Sequence, residues 1–177
     1  MCECSVGWEE HQVTLTSADG SKQTVDILYR DALSVLQDWL LRSEYSPSDL
    51  QFEPELAASP SKQVFADYRH SLPNAVASAY LPRGQRTITV ATSSDGSQYS
   101  ALGRDGFHPV YIDPTFVKTE RRNKADTKCV VALIPHVDGA EEKSRVYQEA
   151  ITKAFASFNH AGFHGVTIHV RGAPPFS

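Results

Sequence analysis

Cysteine is scarce in this chain, and its placement excludes a disulfide scaffold. The three present include the close pair Cys2-Glu-Cys4, and an odd set closes no complete framework. Long apolar runs are missing as well. No stretch approaches the roughly 18 apolar residues that a membrane-spanning helix needs. An excess of positive charge is also lacking: the net charge is -4 and the pI near 5.9. No overall field therefore draws the chain to nucleic acid or to an anionic membrane, and any DNA contact has to be local. The opening residues, Met1 to Glu10, carry neither a basic region nor an apolar stretch of the secretory kind, so the expected location is intracellular, in nucleus or cytoplasm. Phosphate-loop and dinucleotide fingerprints are absent too.

What is present is enough apolar sequence for a filled core. With 41% hydrophobic and 21% charged residues over 177 positions, the chain should be a globular protein with one core, or a core and a small lobe. Val13 and Leu15 alternate with Thr14 and Thr16, and the pattern resumes with Val25, Ile27 and Tyr29 after Asp19-Gly20. Asp-Gly between alternating runs predicts a hairpin. Asp31 then caps a helix to Arg42, with Val35, Leu36, Trp39 and Leu40 at helical spacing. Ser43 to Ser61, rich in Ser, Pro and acids, reads as an exposed connection. A short helix from Val64 to Leu72 and a helical turn from Asn74 to Tyr80 follow.

Four core strands are predicted next. They are Thr87 to Thr92, before a polar bend Ser93 to Ser97; Phe107 to Ile112, where Pro109 marks an edge or bulge; the continuously apolar Cys129 to Ile134; and Val166 to Val170. Between the last two, Gly139 to His160 reads as a long helix with a wide apolar stripe. Gly162 is its expected left-handed cap. A helix between two strands is a crossover, which predicts that the last strand lies parallel to an earlier one.

Candidate chemistry is thin. His108, His136 and His169 lie on or beside predicted strands, and His136-Val-Asp138 follows the central one, where functional groups often sit; Asp138 also suits a helix cap. His160 and His164 are expected to flank a helix-to-strand turn, with His169 in the strand, so their convergence is open. Cys2, Cys4 and His11 make at most part of a soft-metal site. Cys129 reads as apolar filler. Lys118, Arg121, Arg122, Lys124 and Lys128 form a basic run, expected in a loop, where they either contact phosphates or are merely solvated. Asp95, in Ser-Ser-Asp-Gly-Ser, is either a metal-binding acid or a turn residue.

Several phrases together resemble the Plavaka-type transposases of fungal DNA transposons, related to the CACTA group. Tyr29-Arg-Asp-Ala-Leu33 is similar to Y-R-D-P-L. Leu81-Pro-Arg-Gly84 through Ser93-Ser-Asp95-Gly-Ser-Gln-Tyr-Ser100 resembles L-P-x-G followed by S-S-D-K-T-x-L-S. Gly103 to Ile112 is similar to G-D-x-x-x-x-P-V-Y-L, Arg121-Arg122 falls at R-R-x-P-S, and Ala161-Gly-Phe-His-Gly-Val166 resembles A-G-x-x-G-V. The resemblance implies a ribonuclease H-like nuclease core in which Asp95 binds a divalent metal. It departs where C-A-D-G is due: the chain reads Val170-Arg171-Gly172-Ala173, so Gly172 occupies the aspartate position, and the sequence stops soon afterwards. Two-metal phosphoryl transfer needs several carboxylates around ions roughly 4 Å apart, which a lone aspartate does not supply.

The expectation is therefore a mixed α/β protein: a ribonuclease H-like half core in residues 81–177, preceded by a hairpin and helical lobe in residues 1–80. The leading functional expectation is a domesticated, catalytically incomplete transposase derivative. It would bind itself through an exposed core face, or a related transposase, or DNA, with no membrane partner, no assured cofactor and at most a divalent metal. The alternative is a repurposed small-molecule enzyme using Asp95, His108, His136 or His169. A deep histidine-lined pocket would favour the enzyme and a flat apolar patch the binder.

Overall fold

The computed structural model describes residues 4–16, 19–42, 45–53, 72–94, 97–98, 106–122 and 127–175. The expected short helix at Val64 to Leu72 falls almost entirely outside them, as do Cys2, Asp95 and Lys124. The class is the mixed α/β one expected.

Strands β1 (Glu9–Thr16) and β2 (Lys22–Tyr29) form the hairpin, paired antiparallel over eight residues with Thr16 opposite Lys22. Its turn shows why Asp-Gly works: Gly20 takes φ 82°, and the Asp19 carboxylate accepts the Ser21 backbone N–H at 2.9 Å and its hydroxyl at 2.7 Å. Val13, Leu15, Val25 and Ile27 are buried on one face, and Gln12, Thr14 and Asp26 are exposed on the other. Helix α1 (Ala32–Arg42) starts as expected, with Asp31 accepting the Ser34 N–H at 2.7 Å. It buries Val35, Leu36, Trp39 and Leu40. Helix α2 (Leu72–Ala79) covers the second predicted helical turn.

The remaining strands are β3 (Val90–Ser94), β4 (Ser97–Gln98), β5 (Gly106–Pro114) and β6 (Cys129–Pro135). The sheet order is β1-β2-β6-β5-β3, with β4 also on β5, and every pairing is antiparallel. The hairpin thus extends the same sheet as the core strands, through Leu28 opposite Leu133 and Tyr29 opposite Ala132. Beside Pro109, a register shift between Val110 and Tyr111 supplies the expected bulge. The first core strand begins three residues later than its apolar run and continues through Ser93 and Ser94, which were assigned to a bend.

Three further departures have physical causes. Val166 to Val170 does not join the sheet as a parallel fourth strand; Ile168 alone makes a bridge. Ile168 and Val170 are buried, but the backbone of His169 is paired by a side chain instead. The Gln37 amide donates to its C=O at 2.6 Å and accepts its N–H at 3.0 Å, and Arg171 N–H reaches Leu40 C=O at 3.3 Å. The segment therefore docks on α1. The single long helix is two: α4 (Ala140–Ala154) and α5 (Ala156–His164), separated at Phe155 with φ -105° and ψ 11°. Gly165, at φ 73°, caps α5, and Gly162 lies inside it. Finally, the 45–53 part of the supposed exposed connection is anchored. Tyr45 and Phe52 are buried, Tyr45 near the Trp39 ring and Phe52 stacked on Phe116 at 5.3 Å, around a 3-10 turn at Pro47–Asp49.

No helix among the described residues is long and apolar enough to cross a membrane.

Candidate functional site

Helix α1 contacts β6 and α5, while α4 contacts β1, β2 and β6. Asp31 fixes the α1–α5 junction: one carboxylate oxygen caps α1, and the other accepts the Ser157 hydroxyl from the first turn of α5. No residue of α5 is fully buried, although Phe158 packs half-buried against the core. A groove of about 480 Å³ opens between α1, α2 and α5, lined by the apolar Leu33, Ala77, Leu81, Ile88, Phe158 and Phe163 together with the polar Gln85, Arg86, Thr87 and His164. Phe163 is 89% exposed; Val166 just after α5, Val76 on α2 and Tyr80 just after α2 are exposed as well. Val166 continues into a shallower hollow with Leu33, Leu41 and His169. The exposed large apolar side chains thus belong to α1, α2, α5 and their connections, with Trp8 before β1; the strands contribute none among the described residues.

The expected histidine sites separate. His108 and His136 approach at one end of the sheet, with ring centroids 6.0 Å apart, and His136 pairs with Asp138 at 3.7 Å. Asp138 therefore does not cap α4; Gly139 is the cap residue, without a side-chain bond. His108 lines a cleft of about 250 Å³ with Ser94, Pro135, Val137, Lys143 and Tyr147. His169 lies against α1, apart from that cleft. His11 faces Glu149 at 3.8 Å. Cys129 is buried in β6, and Cys4 is half-buried. Among the described residues no three metal-ligating side chains gather. His160 and His164, assigned to opposite sides of a turn, instead lie one turn apart on α5 with ring centroids 4.4 Å apart.

The basic run contains a helical turn, α3 (Thr119–Arg122), where a loop was expected. Its arginines point inward. Arg122 donates from Nη2 to the carbonyls of Thr115 and Val117 at 2.6 and 2.8 Å, and its own carbonyl accepts the Thr127 hydroxyl at 2.6 Å. Arg121 lies 3.8 Å from Asp49 and over the Tyr45 ring, while the Tyr45 hydroxyl donates to the Arg121 carbonyl at 3.0 Å. Lys118 donates its backbone N–H to Asp49 C=O at 2.9 Å. These contacts tie the 45–53 segment to the β5–β6 connection.

One polar residue beside this run escaped the sequence reading. Burial pushes the Asp113 carboxyl above the ordinary aspartate range, outweighing the downward pull of Arg122 and Lys128, and its Oδ1 is buried without a hydrogen-bond partner. The only sequence signal was an acid within a strand that otherwise packs. Gly172, at the position of the resemblance's second acid, has φ 75°, which suits glycine to a turn there. A family model described as Plavaka transposase matches residues 2–171. No curated protein and no solved structure matches the chain.

Proposed function

The chain belongs to the Plavaka transposase family, and from that premise we propose that it acts by associating with a second copy of itself, without cutting DNA. One observation carries the reading: Phe163, 89% exposed, stands at an apolar groove of about 480 Å³ between α1, α2 and α5. An aromatic ring left in water beside an apolar hollow gains free energy when a partner covers both. The glycine at position 172 supports loss of the nuclease, because a residue without a carboxylate holds no ion there. The inward Arg122 supports a protein partner over DNA, since donors engaged by the Thr115 and Val117 carbonyls are less available to phosphates.

Light scattering across a concentration series tests the association. A dimer should form, and Leu81→Asp and Val166→Asp should each shift it toward monomer; a monomer at every concentration, or a dimer indifferent to both, overturns the reading. DNA incubated with magnesium or manganese should be neither nicked nor joined, and metal-dependent cleavage abolished by Asp95→Ala would restore the nuclease. The cleft containing Ser94, His108, Lys143 and Tyr147 favours a second reading, a small-molecule enzyme. That reading requires saturable ligand turnover that His108→Ala removes.

A further inference from the structure

The pair on α5 has a geometry that chemistry uses elsewhere. Histidines four apart on a helix present both imidazoles on one face, the spacing by which helices chelate transition metals. Here the rings are 4.4 Å apart between centroids and tilted by 35°. Two rings at that separation can each bring a nitrogen to about 2.1 Å from one shared ion. Both residues are exposed, and among the described residues no carboxylate pairs with either ring. They are therefore accessible to an ion.

Two imidazoles fill only half of a tetrahedral shell, and no third ligand from the described residues stands beside them. The neighbouring surface points to where the rest comes from. Phe163 lies between the two histidines in sequence, and His164 itself lines the apolar groove. A copy docking on this face with the two-fold axis running beside His160 and His164 would bring its own pair opposite the first, because an isologous interface sets a residue against its own copy only at the axis. We propose that His160 and His164 form half of a zinc-class metal site that is completed by the same two histidines of a second copy. The ligand is a divalent ion of borderline softness, for which imidazole is a suitable donor. The proposal rests on self-association through the α5 face. The ion then acts as a clasp that binds the dimer and not the monomer.

Cobalt(II), titrated into the untagged full chain, reads the site directly through its visible absorption. The expected result is one ion per two chains, with the intense bands of tetrahedral coordination, and a doubled mass that EDTA reverses. At ion concentrations about ten times its Kd, dimerisation should tighten about tenfold. His160→Gln and His164→Gln should each abolish the bands and the metal-dependent tightening. One ion per chain with unchanged mass, or bands that survive His164→Gln, overturns the proposal. The two readings also separate: association without metal that is lost in Leu81→Asp but indifferent to cobalt, EDTA and both histidine variants sinks the metal site and leaves the groove standing. A cobalt-dependent dimer with no metal-free association does the reverse.

Discussion

Helices α4 and α5 follow one another with only Phe155 between them, yet they solve opposite problems. Helix α4 turns Val146, Ala150 and Ala154 completely into the core against the sheet. Helix α5 has no fully buried residue, and holds to the rest of the molecule through Phe155, Phe158 and the Ser157 bond to Asp31. The apolar stripe that starts at Val146 runs only as far as Phe158, which still packs on the core; beyond it α5 carries no regular apolar face, and its apolar Phe163 stays in water.

The largest expected contrast between the two comes from placing a charge on each. Ala150→Asp puts a carboxylate without a partner at a fully buried position, and should cost about 3–5 kcal/mol in urea unfolding. Ala156→Asp, in the exposed first turn of α5, should stay within about 0.5 kcal/mol. Equal losses would erase the distinction. Next in size is Asp31→Ala, which removes the cap of α1 and the tether of α5 together; about 1 kcal/mol is expected, with faster amide exchange in α5 than in α4. Phe163→Ala should leave monomer stability within about 0.5 kcal/mol while weakening association, and a clear loss of monomer stability would mean that α5 packs after all.

The smallest effect tests a residue outside both helices and supplies a baseline. Asp113 has its folded pKa raised by burial, so the folded state holds its proton more tightly than the unfolded chain does. Its contribution is full below the ordinary value of 3.8 and is lost as pH rises through the higher folded value. Asp113→Asn should therefore gain in relative melting temperature as pH climbs from below that value toward neutrality. A difference between the two proteins that stays constant with pH would count against this account.

Much of the sheet was legible because local chemistry and burial agreed. Asp19-Gly20 fixed the hairpin, and the unbroken run from Cys129 marked the strand between β2 and β5. Val166 to Val170 misled for a specific reason. Alternation reports which side chains are buried, and Ile168 and Val170 are buried; it does not report what pairs the backbone, and Gln37, 132 residues from His169, carries no local sign of that role. The facing geometry of His160 and His164 was hidden by one glycine. Taking Gly162 as a cap cut the helix before His164, whereas the residue with positive φ is Gly165, and four more helical residues turn two scattered histidines into a facing pair. Likewise, Arg121 and Arg122 read as phosphate-contacting or solvated charge because nothing local names the carbonyls that receive Arg122 or the Asp49 carboxylate beside Arg121.

The hairpin's narrow attachment carries a consequence in time. Its two strands pair over eight positions across a five-residue connection, but β2 meets β6 at only two, between residues about a hundred positions apart. Local pairing of this kind closes in about 1–10 μs, whereas a contact between distant parts of a chain waits on a costlier search. The hairpin should be the earliest ordered piece during refolding, with the join to β6 among the last events. During that interval the free edge of β2 offers unpaired backbone groups to any strand that arrives first, so refolding at high concentration should divert chains into strand-exchanged or aggregated forms.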